Sequence, residues 1–392
     1  MKKVVAGTAV LMIMSIGIYA NETMNQAIEA QKRAETFSFI KEVNGYIRAG
    51  YQNTDIAGDT DYTDTALGGK LHIETASWNG ISAGASFYTT NVAGNDEREG
   101  IPFFDADNDS YSILGEAYLK GQWGNTLVKA GRQEIDTPFA DTDDIGMVPN
   151  TFEAAVLVNT DIKDTTIVLA HIEKWAGVDV SHDPAEFERL NGDDGVQTLG
   201  ITYEGDEGLM LSGWYYHGDT LVDISYIEAG YEAHLDGITL GLGGQYAQQD
   251  WESGVATEIM GASLSLGIDA AGLTLGAACN KADDNGADNG FGGGPFFTSA
   301  EHLTLAEAGA DGEALIYSAE WDAGAAGLEG LTLGVGHLTL EDSTGTEATE
   351  LDLTAGYAFN DALGMDVIYS DIDDEINGDD FTNLRIFVNY TF

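Results

Sequence analysis

Apolar and polar residues alternate with a period of two from residue 43 to the end of the chain. Leu351, Leu353 and Ala355, for example, alternate with Asp352 and Thr354. Because successive side chains of a β-strand point to opposite faces, this period predicts strands with one apolar and one polar face. The alternating runs divide into 18 predicted strands, with cores at residues 43–53, 66–77, 81–90, 111–123, 126–132, 152–159, 165–174, 196–203, 209–217, 223–234, 239–249, 256–268, 273–280, 314–322, 331–340, 349–359, 363–370 and 381–392.

The segments between these strands are sorted by length. Those after even-numbered strands are short, whereas the longest, residues 91–110, 133–151, 175–195 and 281–313, all follow odd-numbered strands. Bacterial transmembrane barrels have short periplasmic turns and longer external loops, while a soluble β-sandwich has no reason to sort its loops in this way. The sequence therefore predicts an all-β protein, an 18-stranded antiparallel transmembrane β-barrel over residues 43–392.

The N-terminus has the pattern of an export signal. Lys2 and Lys3 precede an uncharged apolar stretch that ends at Ala20, which predicts a signal peptide over residues 1–20. The alternative is an N-terminal membrane helix, but residues 4–20 are at the lower limit for spanning a bilayer. Residues 21–42 have apolar side chains at helical spacing and predict a short periplasmic lead-in helix.

The C-terminal strand ends on an aromatic residue. Val388, Tyr390 and Phe392 fall on one face of this strand, the face that we expect to contact lipid. Such an ending resembles the signal that the barrel-assembly machinery reads in outer-membrane proteins. We therefore expect these three residues to act in assembly.

The charge of the chain is strongly acidic. It contains 66 Asp and Glu but only 16 Lys and Arg, giving a net charge of -50. A negative charge of this size would repel the phosphate backbone of DNA or RNA, which argues against a nucleic-acid partner. A hydrophobic content of 43% argues against disorder.

Five basic residues share the predicted lumen-facing positions of strands 1, 2, 4, 5 and 18, which become neighbours when the barrel closes. They are Arg48, Lys70, Lys120, Lys129 and Arg385. We expect them to form a basic lumen wall, with the acids of segment 133–151 on the opposite side of the pore and a transverse field between them. The alternative is that these cations only neutralise carboxylates in the lumen.

Segment 133–151 is the third predicted external loop, and we expect it to fold inward and narrow the pore. Pro138 and Pro149 fix φ at two points and favour a defined fold. The predicted pore constriction consists of Arg132, Glu134, Asp136, Asp141, Asp143 and Asp144. Asp136, Asp141, Asp143 and Asp144 also offer the oxygen ligands that Ca²⁺ prefers, so calcium is a possible ligand. The rival hypothesis is an exposed loop whose acids face the medium.

The sequence gives little support for catalysis. Its seven histidines are scattered, and none forms the HExxH metalloprotease motif. The glycine-rich residues 286–294 lack the lysine that would follow them in a phosphate-binding loop. We therefore predict a protein that is not an enzyme and needs no cofactor, apart from the possible calcium.

One stretch resembles a known family. Gly131-Arg132-Gln133, Thr137-Pro138 and the four residues from Pro149 to Phe152 look like the corresponding region of OprD-type outer-membrane porins, closest to the major outer-membrane porins of epsilonproteobacteria. The resemblance implies an 18-stranded barrel, often trimeric, that passes small hydrophilic solutes. Many relatives have an arginine where this chain has Ile145, and that departure weakens any assignment to basic or carboxylate substrates.

These observations predict a homotrimeric, cation-preferring channel for passive diffusion in the bacterial outer membrane, surrounded by lipid and lipopolysaccharide. A substrate-selective channel on the same fold is the first alternative. The second is a barrel that serves mainly as an adhesin or as a structural protein of the surface. Single-channel conductance separates a porin from an adhesin, and competition by one class of solute separates a general from a selective channel.

Overall fold

The computed structural model describes residues 39–58, 61–94, 102–252, 254–283, 285–378 and 380–392. Within these ranges, 18 long strands form one antiparallel sheet. We number them β1 (Ile40–Ile56), β2 (Tyr62–Thr75), β3 (Ile81–Val92), β4 (Tyr111–Trp123), β5 (Thr126–Gln133), β6 (Thr151–Asn159), β7 (Thr165–Ala176), β8 (Val196–Glu204), β9 (Leu209–Gly218), β10 (Val222–Leu235), β11 (Ile238–Trp251), β12 (Thr257–Ile268), β13 (Leu273–Ala282), β14 (Glu313–Asp322), β15 (Leu331–Glu341), β16 (Glu347–Ala358), β17 (Leu363–Asp374) and β18 (Phe381–Thr391).

The first and last strands close the sheet into a barrel. β1 pairs with β18 over eleven positions, with Arg48 opposite Asn389 and Gln52 opposite Arg385. Every other strand pairs with its neighbours in the chain, so no long strand is left with a free edge among the described residues. The predicted 18-stranded, all-β barrel is confirmed, and each predicted strand core overlaps one observed strand.

The two faces of each strand differ in polarity. On β1, Val43 and Ile47 lie on the outer face and are more than half exposed, whereas Arg48 and Gln52 are buried against the interior. Because the alternation has a period of two, a shift of register by one residue would turn the apolar set into the lumen. The sequence pattern thus fixes both the register and the side of the sheet that faces lipid.

The connections at the two ends of the barrel differ in length. The four longest, residues 93–110, 134–150, 177–195 and 283–312, all leave odd-numbered strands at the same end. At the other end the turns are tight. Asn79 and Gly80 both have positive φ, a conformation that these two residue types adopt readily. We call the end with the long loops the external end, following bacterial barrels in general.

The N-terminal predictions fall mostly outside the described residues. The signal peptide over residues 1–20 lies wholly outside them, and so does the lead-in helix up to residue 38. Strand β1 begins at Ile40, three residues before the predicted start of the barrel. The described helices are three short 3-10 turns. No helix among the described residues is long and apolar enough to cross a membrane.

The C-terminal residue takes part in the closure of the barrel. The backbone N–H of Phe392 donates to the carbonyl oxygen of Gly45 at 3.0 Å, and Gly45 donates back at 3.1 Å. The side chains of Tyr390 and Phe392 are exposed on the outer face of the barrel, and Val388 lies on the same face of the strand. The assembly role of these three residues stays a prediction.

Deletion of Phe392 should lower the amount of assembled barrel in the outer membrane while leaving the conductance of the barrels that do assemble unchanged. The deletion removes a closing hydrogen-bonded pair and a lipid-facing aromatic side chain. Heat-modifiable mobility of outer-membrane fractions measures the assembled fraction. Phe359→Ala, which truncates another exposed aromatic side chain, is the matched control. Normal assembly of the deletion variant would show that Phe392 has no such role.

Candidate channel constriction

The connection between β5 and β6, residues 134–150, crosses the interior of the barrel. At one side Arg48 of β1 binds Asp144 of this loop. At the other side the backbone N–H of Phe139 donates to the hydroxyl of Tyr216, on β9, at 3.2 Å. β9 lies halfway round an 18-stranded barrel from β1. The segment is therefore an inward loop that spans the lumen, and not an exposed surface loop.

The tip of this loop is held by aromatic rings. Phe139 is fully buried, and Tyr216, Tyr226 and Phe296 surround its ring edge-on, with centroids 5.7, 5.7 and 5.9 Å away. Edge-to-face pairs of this kind each contribute about 0.5–1.5 kcal/mol beyond the burial of their area. The tip is thus fastened to β9 and β10, across the lumen from β1, where Arg48 holds Asp144.

A second long loop, residues 283–312, packs against the first. The inward loop turns through the two-residue strands Asp136–Thr137 and Ala140–Asp141. Phe291 donates its N–H to the carbonyl oxygen of Phe139 at 3.0 Å and accepts from the N–H of Asp141 at 3.3 Å. The two loops therefore share backbone hydrogen bonds inside the barrel.

The wall also holds loop 283–312 directly. The carboxylate of Glu350, on β16, accepts the backbone N–H groups of His302 at 2.9 Å and Leu303 at 2.7 Å. On β11 the side-chain amide of Gln245 donates to the carbonyl oxygen of Pro295 at 3.1 Å. Because these backbone groups lie inside the barrel and away from bulk water, such partners are needed to keep the loop inside.

A third loop, residues 177–195, completes the cluster. Asn150 donates its amide to the carboxylate of Asp179 at 2.6 Å, and the N–H of Asp179 donates to the Asn150 oxygen at 3.2 Å. Asn150 also donates to the carbonyl oxygen of Asp141 at 3.2 Å. Three loops thus converge in the lumen and narrow it.

Four carboxylates meet where the three loops converge. Asp136 and Asp141 face each other across the small hairpin, and Asp143 lies within hydrogen-bonding range of Asp179. Among the described residues, none of the four forms a salt bridge with a basic side chain. Asp136 and Asp179 are exposed to the lumen even though protein surrounds them, so a solute in the pore can approach them.

Confinement changes the acidity of these groups. Burial raises the pKa of Asp141 to about 8, and the nearby charges of Asp136 and Asp143 add to the effect. Burial also raises the pKa of Asp143 to about 7, helped by the charges of Asp179 and Asp144. The pKa values of Asp136 and Asp179 are raised as well, chiefly because the surrounding protein displaces water from the carboxylates. The cluster therefore gains negative charge as the pH rises through the neutral range.

Two other predicted constriction residues, Glu134 and Asp144, contact the barrel wall directly. Arg48 binds both carboxylate oxygens of Asp144, at 2.6 and 2.7 Å, and Lys70 binds Glu134 at 2.7 Å. We expected these acids on the side of the pore opposite the cations. The expected separation is wrong for both pairs, because the parts of the loop that carry Glu134 and Asp144 lie against the wall of β1 and β2.

The five predicted wall cations do lie on the inner face, and each has a carboxylate partner. The pairs are Arg48 with Asp144, Lys70 with Glu116 and Glu134, Lys120 with Glu74, Lys129 with Glu116, and Arg385 with Glu301. The wall is therefore a neutralised network and not a row of free positive charge. This geometry agrees with the alternative in which the cations balance carboxylates of the lumen.

Arg132 does not belong to the constriction. It lies on the outer face of β5, three residues after the inward-facing Lys129. Side chains three positions apart on a strand point to opposite faces. Its guanidinium stacks on the ring of Phe187 at 4.2 Å, and its Nε lies 3.6 Å from Glu153. The prediction that Arg132 lines the pore is wrong.

Several residues of the site were missed by the sequence analysis. Glu74 and Glu116 occupy the same strand faces as Lys70 and Lys120, so the period of two could have found them. Asp179 and Glu301 lie in irregular loops, and no periodic signal marks them. In the described part of the chain, no group of three or more His, Cys, Asp or Glu side chains is arranged to hold a metal ion. Calcium binding stays a prediction.

Comparisons with known proteins place this barrel among porins. The family model described as outer membrane porin, OprD family, matches residues 103–392. Among curated proteins, no sequence match was found. Several solved structures share the fold, and OpdK of Pseudomonas aeruginosa with vanillate superposes with a TM-score of 0.80 at 17% identity, covering 91% of this chain and 100% of its own.

Two further structures agree. A BenF-like porin from Pseudomonas fluorescens has a TM-score of 0.80 at 15% identity, covering 91% of this chain and all of its own. OccAB4 of Acinetobacter baumannii has a TM-score of 0.76 at 16% identity, covering 89% of this chain and 97% of its own. Identities this low show a common fold only. The family model, which spans most of the chain, shows more, and the chain belongs to the OprD family of outer membrane porins.

Proposed function

We propose that this porin is a passive, cation-preferring channel for ions and small hydrophilic solutes. One observation carries the proposal. Asp136, Asp141, Asp143 and Asp179 converge at the narrow part of the lumen without salt-bridge partners among the described residues, whereas each of the five wall cations is paired. Fixed carboxylates in a narrow pore attract cations and repel anions.

The electrostatic effect depends on where the acids lie. At physiological salt the Debye length is about 8 Å, so acids on distant external loops are largely screened from an ion in the pore. Acids within the lumen are screened less, because protein replaces much of the surrounding water. The total charge of the chain therefore matters less than the four carboxylates of the constriction.

Selectivity among solutes is the closest alternative on the same fold. Three loops converge in the lumen, and the structure of OpdK contains vanillate, a carboxylate. A carboxylate solute would need free cations in the pore. Arg48 and Arg385, the two wall arginines, are occupied by Asp144 and Glu301. We therefore propose that carboxylates are not the preferred solutes of this channel.

The remaining parts of the proposal concern export and assembly. The first 20 residues serve as a signal peptide, the barrel-assembly machinery inserts the chain, and three copies associate in the membrane. From the motif between Gly131 and Phe152 we also propose a close relationship to the major porins of epsilonproteobacteria. Measurable single-channel conductance would set this function apart from that of an adhesin.

Replacing Asp141, Asp143 and Asp179 together with Asn should abolish most of the cation preference, because the change removes charge with little change in shape. The measurement is the reversal potential of purified channels in planar bilayers under a potassium chloride gradient. The control is Glu207→Gln, Asp236→Asn and Glu329→Gln, which removes three exposed charges outside the lumen. An unchanged reversal potential in the Asn variant, with normal folding, would exclude these acids from the conduction path.

The cation preference should rise with pH between about 6 and 9, the range in which carboxylates with pKa values near neutrality ionise. The raised pKa values of Asp141, about 8, and Asp143, about 7, mean that both carboxylates lose protons across this interval. Reversal potentials measured at a series of pH values test the expectation. A flat profile in the wild type, or an equal slope in Asp141→Asn/Asp143→Asn, would contradict it.

Truncation of Phe139 to Ala should raise the single-channel conductance and reduce the cation preference. The variant removes the ring that fastens the loop to β9 and β10, and burial of a phenylalanine typically contributes about 3–5 kcal/mol of stability. Phe139→Leu, which refills most of the volume, should restore part of both properties. Equal conductance in wild type and Phe139→Ala would show that the loop keeps its place without this ring.

A further inference from the structure

The outer face of the barrel carries a groove with a volume of about 520 Å³ across β5 to β9. Leu157, Leu169 and Leu199 form one row of its floor, since Leu169 is paired with both of the others in register. In the next row toward the external end, Ala155 lies beside His171. Its small side chain leaves the groove open at this point.

Polar side chains border the groove on its external side. Gln197 pairs in register with His171 on one side and His217 on the other, and its amide nitrogen lies 3.2 Å from Nδ1 of His171. All three side chains point outward, in the row directly above the leucines. The groove therefore crosses the boundary at which the apolar band of the outer face gives way to polar residues.

Basic residues lie beyond this polar row. In register, Arg132 is opposite Glu153, Glu153 is opposite Lys174, and Lys174 is opposite Arg189. Glu153 is shared between Arg132 at 3.6 Å and Lys174 at 3.3 Å. Two cations thus share one carboxylate, and the side chains of both are partly exposed.

The position of these cations is unusual in so acidic a chain. Arg189 is itself paired with Asp193, and Glu173 lies 3.7 Å from His171. Arg132 and Lys174 are therefore the two cations here that share one carboxylate, Glu153, and have no ion-pair partner of their own among the described residues. Among the described residues, the other basic side chain on the outer face at the external end is Lys281, which forms its own ion pair with Glu313 and borders no such groove.

We propose that this groove binds a phosphorylated lipid of the outer leaflet. An acyl chain lies along the leucine row, the histidine and glutamine side chains face the polar part of the lipid, and Arg132 and Lys174 bind a phosphate. Arg and Lys are the residues that bind phosphate in proteins, Arg through its planar fork and Lys as a point charge. The order of apolar floor, polar row and cations follows the order of a phospholipid or glycolipid from the bilayer interior outward.

The shape of the surface favours a lipid over a second copy of the chain. The volume falls within the range of about 300–1,000 Å³ that is typical of sites for small ligands. A stable subunit contact would bury roughly 800 Å² on each partner and is usually apolar at its centre. Here cations flank the apolar floor on one side only, as a lipid with a charged head requires.

Native mass spectrometry of the purified, detergent-solubilised full-length barrel tests the proposal. The probes are lipid A, the same lipid without its phosphates, and inorganic phosphate as a competitor. The variant Arg132→Gln/Lys174→Gln removes the two cations, and Ala155→Trp fills the groove. Lys281→Gln is the matched control, since it removes an outward-facing cation away from the groove. Conductance of every variant in planar bilayers verifies that the barrel is folded.

We expect lipid A to bind at least about tenfold more tightly than its dephosphorylated form, and the double variant to lose this difference. Ala155→Trp should weaken binding of both lipids, and Lys281→Gln should behave as the wild type. Inorganic phosphate should not displace lipid A. Equal binding by the double variant and the wild type would overturn the proposal. So would a change of oligomeric state in Ala155→Trp with lipid binding intact. Ion selectivity plays no part in this test, so the proposal can fail independently of the proposed function.

Discussion

A bilayer offers no water to the backbone, so every peptide N–H and C=O group that crosses it must find a partner within the protein. In this chain the pairing of β1 with β18 meets that requirement, because it removes the two edges that an open sheet would expose to lipid. Closure has two consequences. The outer face must be apolar, and the inner face encloses a space that water and loops can occupy. The period of two in the sequence follows from this difference between the two faces.

The enclosed space sets the second level of organisation, which is electrostatic. Charges on the wall are partly removed from bulk water, and an unpaired buried charge is costly, so Lys70, Lys120 and Lys129 are held beside glutamates. Among the described residues, four loop carboxylates, Asp136, Asp141, Asp143 and Asp179, form no such ion pair. The pKa values of Asp141 and Asp143 are raised because protein surrounds both carboxylates and other acids lie close to them. The lumen thus combines a wall of neutralised ion pairs with an acidic narrow part, and we propose that the acidic part governs which ions pass.

The sequence predicts the strands and their inward and outward faces well, because both follow from local alternation. Contacts within the lumen are harder to predict from the sequence. They join loops, which lack periodicity, to strands that are distant in the chain. Nothing in the pattern indicates that Asp144 would lie against Arg48 or that Asp179 would join the acid cluster. The prediction that Arg132 lines the pore rests only on its neighbours in the chain. The strand geometry, applied strictly, would have placed it outside, three residues from Lys129.

The central claim is that the carboxylates at the narrow part of the lumen control the passage of ions. The most direct measurement is the reversal potential of the wild-type channel under a tenfold potassium chloride gradient at low ionic strength, near pH 9, above the raised pKa values of Asp141 and Asp143. The account predicts a potential of the sign and size expected for a channel that passes potassium more readily than chloride. A potential near zero, or one that indicates preference for chloride, would contradict it.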